Sequence, residues 1–104
     1  MLNPLDPDSE VRSIKDVLAS YQQSHPQAQV DSYRQNSGSI RIRVIDTDFR
    51  KLDKVIRHDQ IWPILEQLDE EILSQITVLL LLTPEEVKTS FANMDFENPI
   101  PSRL

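Results

Sequence analysis

The chain has 104 residues, 38% hydrophobic and 27% charged, the composition of one small globular domain with no room for a second core. A net charge of −6 argues against a surface that binds nucleic acid all over, and a sequence without cysteine excludes disulfides, thiolate catalysis and Cys-ligated metals. No apolar run approaches the ~18 residues of a membrane span. The first residues, Met1-Leu2-Asn3-Pro4-Leu5-Asp6, lack the basic start and apolar stretch of an export signal, so the expected location is cytoplasmic.

Residues 1–7, with Pro4 and Pro7, read as a loose lead-in. Asp8 or Ser9 is placed to cap a helix whose apolar positions Val11, Ile14, Val17, Leu18 and Tyr21 fall at three- and four-residue spacing. It stops at Ser24-His25-Pro26, because Pro26 restricts His25 and cannot continue the ladder. Residues 27–34 predict a first strand through Val30 and Tyr33. Gln35-Asn36-Ser37-Gly38 is the turn, with the single glycine of the chain placed where positive φ costs little. Residues 39–45 then alternate, with Ile40, Ile42 and Val44 inward and Arg41 and Arg43 outward. An antiparallel hairpin with one wet face follows.

Asp46-Thr47-Asp48 leads into a short helical turn over Phe49-Arg50-Lys51-Leu52, capped by Thr47 or Asp48. Asp53 caps a longer helix through Val55, Ile56, Ile61, Trp62, Ile64, Leu65 and Leu68, and Pro63 inside it predicts a kink or a split at Trp62. An acidic link at Asp69-Glu70-Glu71 precedes the most apolar stretch, Ile76-Thr77-Val78-Leu79-Leu80-Leu81-Leu82. Its short length and abrupt ends predict a strand, buried on both faces or placed centrally in the sheet. Thr83-Pro84-Glu85-Glu86 is a strong helix start, with a Thr cap, Pro at the first position and Glu at the third. Val87, Phe91 and Met94 give that helix its apolar edge, and residues 95–104 read as an extended tail.

The order helix, strand, strand, short helix, long helix, strand, helix resembles that of BolA-like proteins, which share their arrangement with type II KH domains. Three local features carry the resemblance: the strand Ile40-Arg41-Ile42-Arg43-Val44-Ile45 followed by Phe49; Arg57-His58 opening the long helix ahead of Ile61, Trp62 and Leu65; and the apolar strand running into Thr83-Pro84-Glu85-Glu86. It covers roughly residues 10–90. The fold it implies is an α+β, two-layer αββααβα domain: a three-stranded mixed sheet with helices packed mainly on one face. The resemblance also implies a link to glutaredoxins and iron–sulfur maturation. The ligands used for that work are a His or Cys between the first two strands and a His before the last strand. Here those places hold Gln35-Asn36-Ser37-Gly38 and Gln75, and carboxamides are poor ligands for such clusters. No cofactor is therefore expected.

Charge is unevenly spread. Residues 33–58 hold seven Lys/Arg against three acids, and residues 59–104 nine acids against two bases. Within the basic part, Arg50, Lys51, Lys54, Arg57 and His58 form the candidate surface for a partner or for nucleic acid. Asp48, Asp53 and Asp59 interleave with it, and no Gly-x-x-Gly clamp is present. His58 is expected to pack on the helix surface, His25 to be a loop residue and Trp62 to be core. Asp46 and Asp48 are expected to cap, although their spacing matches metal-binding Asp-x-Asp runs. Ser102-Arg103-Leu104 matches a peroxisomal tripeptide easily met by chance. Neither a nucleophile–base arrangement nor a phosphate-binding glycine loop occurs, so no enzyme and no metal are expected. The reading is a non-enzymatic adaptor or regulator that binds an unidentified protein, with a nucleic-acid-binding module as the alternative.

Overall fold

The structure, a computed structural model, describes residues 8–99; the lead-in 1–7 and the last tripeptide lie outside the described residues. The elements run α1 (Ser9–Ser24), β1 (Gln29–Asn36), β2 (Ser39–Ile45), a 3-10 turn (Thr47–Lys51), α2 (Lys54–Leu65), α3 (Glu70–Leu73), β3 (Ile76–Leu82), α4 (Pro84–Val87) and α5 (Phe91–Glu97). The α+β class and the three-stranded mixed sheet stand as read from the sequence. Strand order is β1-β2-β3, with β1 antiparallel and β3 parallel to β2. Among the described residues, no helix is long and apolar enough to cross a membrane.

The caps explain why the helices begin where they do. The Asp8 carboxylate accepts from the Val11 amide, Asp53 from Ile56, and Thr83 from Glu86 in a full capping box, each satisfying a donor that a first helical turn leaves orphaned. Ile14, Leu18, Ile40, Ile42, Val44, Phe49, Ile61 and Leu65 are fully buried. They form one core between the sheet and the α1–α2 layer. Each such side chain stabilises by roughly 1.5–3 kcal/mol on burial.

Six expectations change. First, β2 is the central strand, and the apolar β3 lies at the edge with most of its residues only half-buried. An uninterrupted apolar run reports burial on one face plus a hydrophobic neighbourhood, and does not by itself assign a central place. Second, the far face of the hairpin is covered. Arg43 is buried, and Arg41 half-buried, beneath α5. Third, the helix expected after Pro84 breaks at Ser90, whose side chain caps α5. Phe91 and Met94 then point outward, Phe96 points in, and the helix runs to Glu97, past the point where a tail was expected. Fourth, α2 continues through Pro63 and ends at Leu65. Asp59 and Pro63 are both exposed, so the carbonyl orphaned by proline faces water and no split is forced. Fifth, Gly38 does not have positive φ. The Asn36 side chain instead accepts from its amide at 3.1 Å, closing an Asx turn. Sixth, the short 3-10 turn is capped by Asp46, not by Thr47 or Asp48.

Candidate functional site

The five basic-segment residues fall into two groups. Arg57 is 5% exposed: its guanidinium donates to the carbonyls of Leu52 (2.9 Å) and Leu81 (3.0 Å) and to Glu86 (2.6 Å), and it lies over the Phe49 ring. Through Nε and Nη1 that side chain is committed to its own fold. Arg50 is exposed but holds Glu85 through two bonds of 2.7 Å. Lys51, Lys54 and His58 are exposed, and His58 stacks on Trp62 with ring centres 5.5 Å apart.

The unequal charge of the two halves has a structural outlet. Arg34 pairs with Asp8 and Glu10, Arg41 with Asp95, Arg43 with Asp31 and Glu97, Arg50 with Glu85 and Arg57 with Glu86. Five arginines of the basic stretch thus meet acids that lie before it, within β1, or in the acidic C-terminal part. Among the described residues of that stretch, Lys51 and Lys54 are the cations with no carboxylate partner. A field of two lysines and one imidazole is thin for phosphate recognition, which draws its affinity from many cations at once.

Lys54 and His58 border a different feature. The Asp46 amide donates to the Leu82 carbonyl, and from Arg41 onward β2 and β3 pair without a register shift. Strand alternation therefore turns the backbone groups of Leu79 and Leu81 away from β2, toward the free edge. Arg57 takes the Leu81 carbonyl; no backbone partner meets Leu79 on that side among the described residues. Beside it runs a groove of about 230 Å³ lined by Lys54, His58, Leu79, Leu80, Leu81 and Ala92. Val55, on the next position of α2, is 70% exposed. The sequence signal for this face was an apolar strand and, earlier in the chain, a helix whose first apolar residues, Val55 and Ile56, stay exposed. Only the sheet order reveals it as an edge.

A second constellation lies just past the C-terminal end of β2, where the Asp46 amide meets the Leu82 carbonyl. His25, Asp46 and Asp48 bring one ligand atom each to within 4.8 Å of the others. His25 Nδ1 is 2.7 Å from Asp48 Oδ2 and 3.3 Å from Asp46 Oδ2. Asp46, the cap of the 3-10 turn, is also fully buried and accepts from Tyr21 Oη (2.5 Å) and Gln27 Nε2 (2.8 Å). Burial and the hydrogen bond to Asp46 push the Tyr21 hydroxyl far above the ordinary phenol range, so it stays a neutral donor. The Tyr21 and His25 rings stack at 4.1 Å. Reading His25 as a bare loop residue missed this, because Tyr21, His25 and Asp46 meet only through the packing of α1 on the sheet.

Gln75 is fully engaged. Its amide nitrogen donates to Glu10 (2.9 Å) and to the Glu71 carbonyl (2.8 Å), while its oxygen accepts from Arg34 (2.8 Å). Arg34 in turn holds Asp8 and Glu10. This network ties the start of α1 to the hairpin and to β3.

No family model matches the chain, and no curated protein matches it in sequence. Among solved structures it is similar to BolA1 from Arabidopsis thaliana, with a TM-score of 0.51 and 14% identity. The similarity covers 76% of this chain and 96% of that one. The chain has a divergent BolA-like fold.

Proposed function

We propose that this chain is a cytoplasmic, non-enzymatic adaptor or regulatory protein that binds another protein along the free edge of β3 and the adjoining start of α2. The observation that carries the reading is the edge itself: an apolar parallel strand with unmatched backbone groups at Leu79, bordered by exposed Val55, Lys54 and His58. An extended segment of a partner can add to such an edge through main-chain hydrogen bonds, with side-chain pockets setting the choice of partner. Lys54 favours a segment that carries acids. Native proteins usually blunt edges of this kind. Here the blunting by Arg57 stops at Leu81.

A glutaredoxin-like partner is consistent with the resemblance in fold alone. Gln75, held on three sides, offers no ligand for an iron–sulfur cluster, so this reading involves contact between proteins without a shared cluster.

The test is affinity capture from source lysate with the wild-type chain and a Lys54→Glu, Val55→Asp, His58→Glu variant, all three at exposed positions. Amide exchange at Leu79 is then measured with the captured protein purified. A stoichiometric protein lost from the variant, with slowed exchange at Leu79 in its complex, is the expected result. A partner retained by the variant, with exchange at Leu79 unchanged, moves the binding site elsewhere. Recovery of nucleic acid in place of protein favours the alternative function.

A further inference from the structure

We propose that His25 Nδ1, Asp46 Oδ2 and Asp48 Oδ2 form a binding site for a divalent first-row transition ion of the Zn²⁺ type, which staples the end of α1 to the end of β2. The argument begins with charge. Asp8, Glu10, Asp31, Glu85, Glu86, Asp95 and Glu97 each take an arginine. Asp46, the most deeply buried acid of the fold, is met by neutral donors from Tyr21, Gln27 and the Asp48 amide, and by the His25 ring. Buried carboxylates are ordinarily paired with a cation or bound to a metal. Here a second carboxylate, Asp48, is drawn to the same imidazole, so two negative groups converge on one nitrogen.

The spacing fits an ion. Bonds of about 2.0–2.1 Å in a tetrahedral shell set ligand atoms roughly 3.3 Å apart. His25 Nδ1 and Asp46 Oδ2 stand at 3.3 Å, and His25 Nδ1 and Asp48 Oδ2 at 2.7 Å. Asp48 must therefore move outward by about 0.6 Å to reach that spacing. Its side chain is 54% exposed and gives up the 3.0 Å hydrogen bond it accepts from Gln27 Nε2 as it moves, and water can complete the shell from the same side.

The surrounding groups hold the ligands in place. Tyr21 and Gln27 fix the Asp46 carboxylate, and the Tyr21 ring lies flat against the imidazole, 8° from parallel. Such outer contacts orient ligands and tune affinity. The donor chemistry selects the metal class: an imidazole disfavours Mg²⁺ and Ca²⁺, and a site without thiolate disfavours Cu(I) and clusters. His25 is the C-cap of α1, whereas Asp46 and Asp48 flank the start of the 3-10 turn after β2. A bound ion therefore reinforces a junction otherwise held by the hydrogen bonds of Tyr21, His25 and Gln27 to Asp46 and Asp48.

The test uses the full chain, stripped with chelator and titrated with Zn²⁺ by calorimetry, with imidazole NMR of the same sample. We expect 1:1 binding, a perturbed His25 Nδ1 resonance with His58 unchanged, and a rise in Tm of roughly 10 °C at a hundredfold excess over Kd. Asp48→Asn, at an exposed position, and His25→Gln each weaken binding at least tenfold, while His58→Gln leaves it intact. Binding that persists in Asp48→Asn, or that shifts His58 alone, overturns the assignment. So does the absence of any heat or shift with the wild-type chain.

Discussion

The Arg57 guanidinium donates to the backbone carbonyl of Leu81 at 3.0 Å, joining α2 to the outer edge of β3 across 24 positions of sequence. It also holds the Leu52 carbonyl and Glu86. Replacing Arg57 by methionine keeps much of the volume but leaves the Leu52 and Leu81 carbonyls without their donor and Glu86 without its cation. We expect a loss of about 3 kcal/mol in urea unfolding. Lys54→Glu, nearby on the same helix and exposed, should leave the midpoint essentially unchanged. Equal effects would show that Arg57 is not structural.

Acid should weaken the fold through Glu86 and Asp8. The hydrogen bond from Arg57 holds Glu86 below its ordinary carboxylate range, and that from Arg34 does the same for Asp8. A folded-state pKa below the unfolded one means that the unfolded chain binds more protons between the two values. Stability from these groups is complete above the ordinary carboxylate range and is lost as pH falls through it and on through the depressed folded values. Urea midpoints should accordingly fall from pH 6 toward pH 3. The double variant Asp8→Asn, Glu86→Gln should start lower and fall less steeply.

At Gly38, conformation and space both permit a side chain. Its φ is not positive, and an added Cβ meets nothing within 4 Å. Gly38→Ala should raise stability by about 0.4–1 kcal/mol by narrowing the unfolded ensemble. A loss of stability in thermal unfolding would contradict this turn geometry.

The cover over the far face of the sheet depends on Phe96. Its ring meets Tyr33 edge-on at 5.0 Å, lies beneath the Arg43 guanidinium at 4.8 Å, and its carbonyl accepts from Tyr33 Oη at 2.6 Å. Phe96→Ala should cost about 3 kcal/mol and speed amide exchange throughout α5. Phe91→Ser, at a residue 84% exposed, serves as the control and should do neither.

Local chemistry was legible where one segment determines the outcome. Asp8, Asp53 and Thr83 announced their helices, because a cap needs only its own neighbours three residues on. Ile40, Ile42 and Val44 announced the inward face of β2 by alternation. Long-range placement was less visible. Arg41 and Arg43 alternate as a wet face should, yet Asp31, Asn93, Asp95 and Glu97 gather over them, and nothing local marks those three acids and one amide as partners. The same limit hid the meeting of His25 with Asp46 and the edge position of β3. The basic stretch looked like a binding surface because its counter-charges are remote in sequence. In the fold, most of them lie within hydrogen-bonding distance.

The parallel pairing of β3 with β2 also orders events during synthesis. The β1–β2 hairpin needs only a short turn to close, whereas β3 can join only after residues 46–75 have been made and folded back, a longer and slower closure. Until then Ile76–Leu82 is an apolar segment without charge or proline, the composition that drives chains to stick to one another. Thr83-Pro84-Glu85-Glu86 follows it directly, and a proline with two acids is a gatekeeper against such stacking. The residues that cap a helix in the finished protein therefore also protect the nascent chain from aggregation.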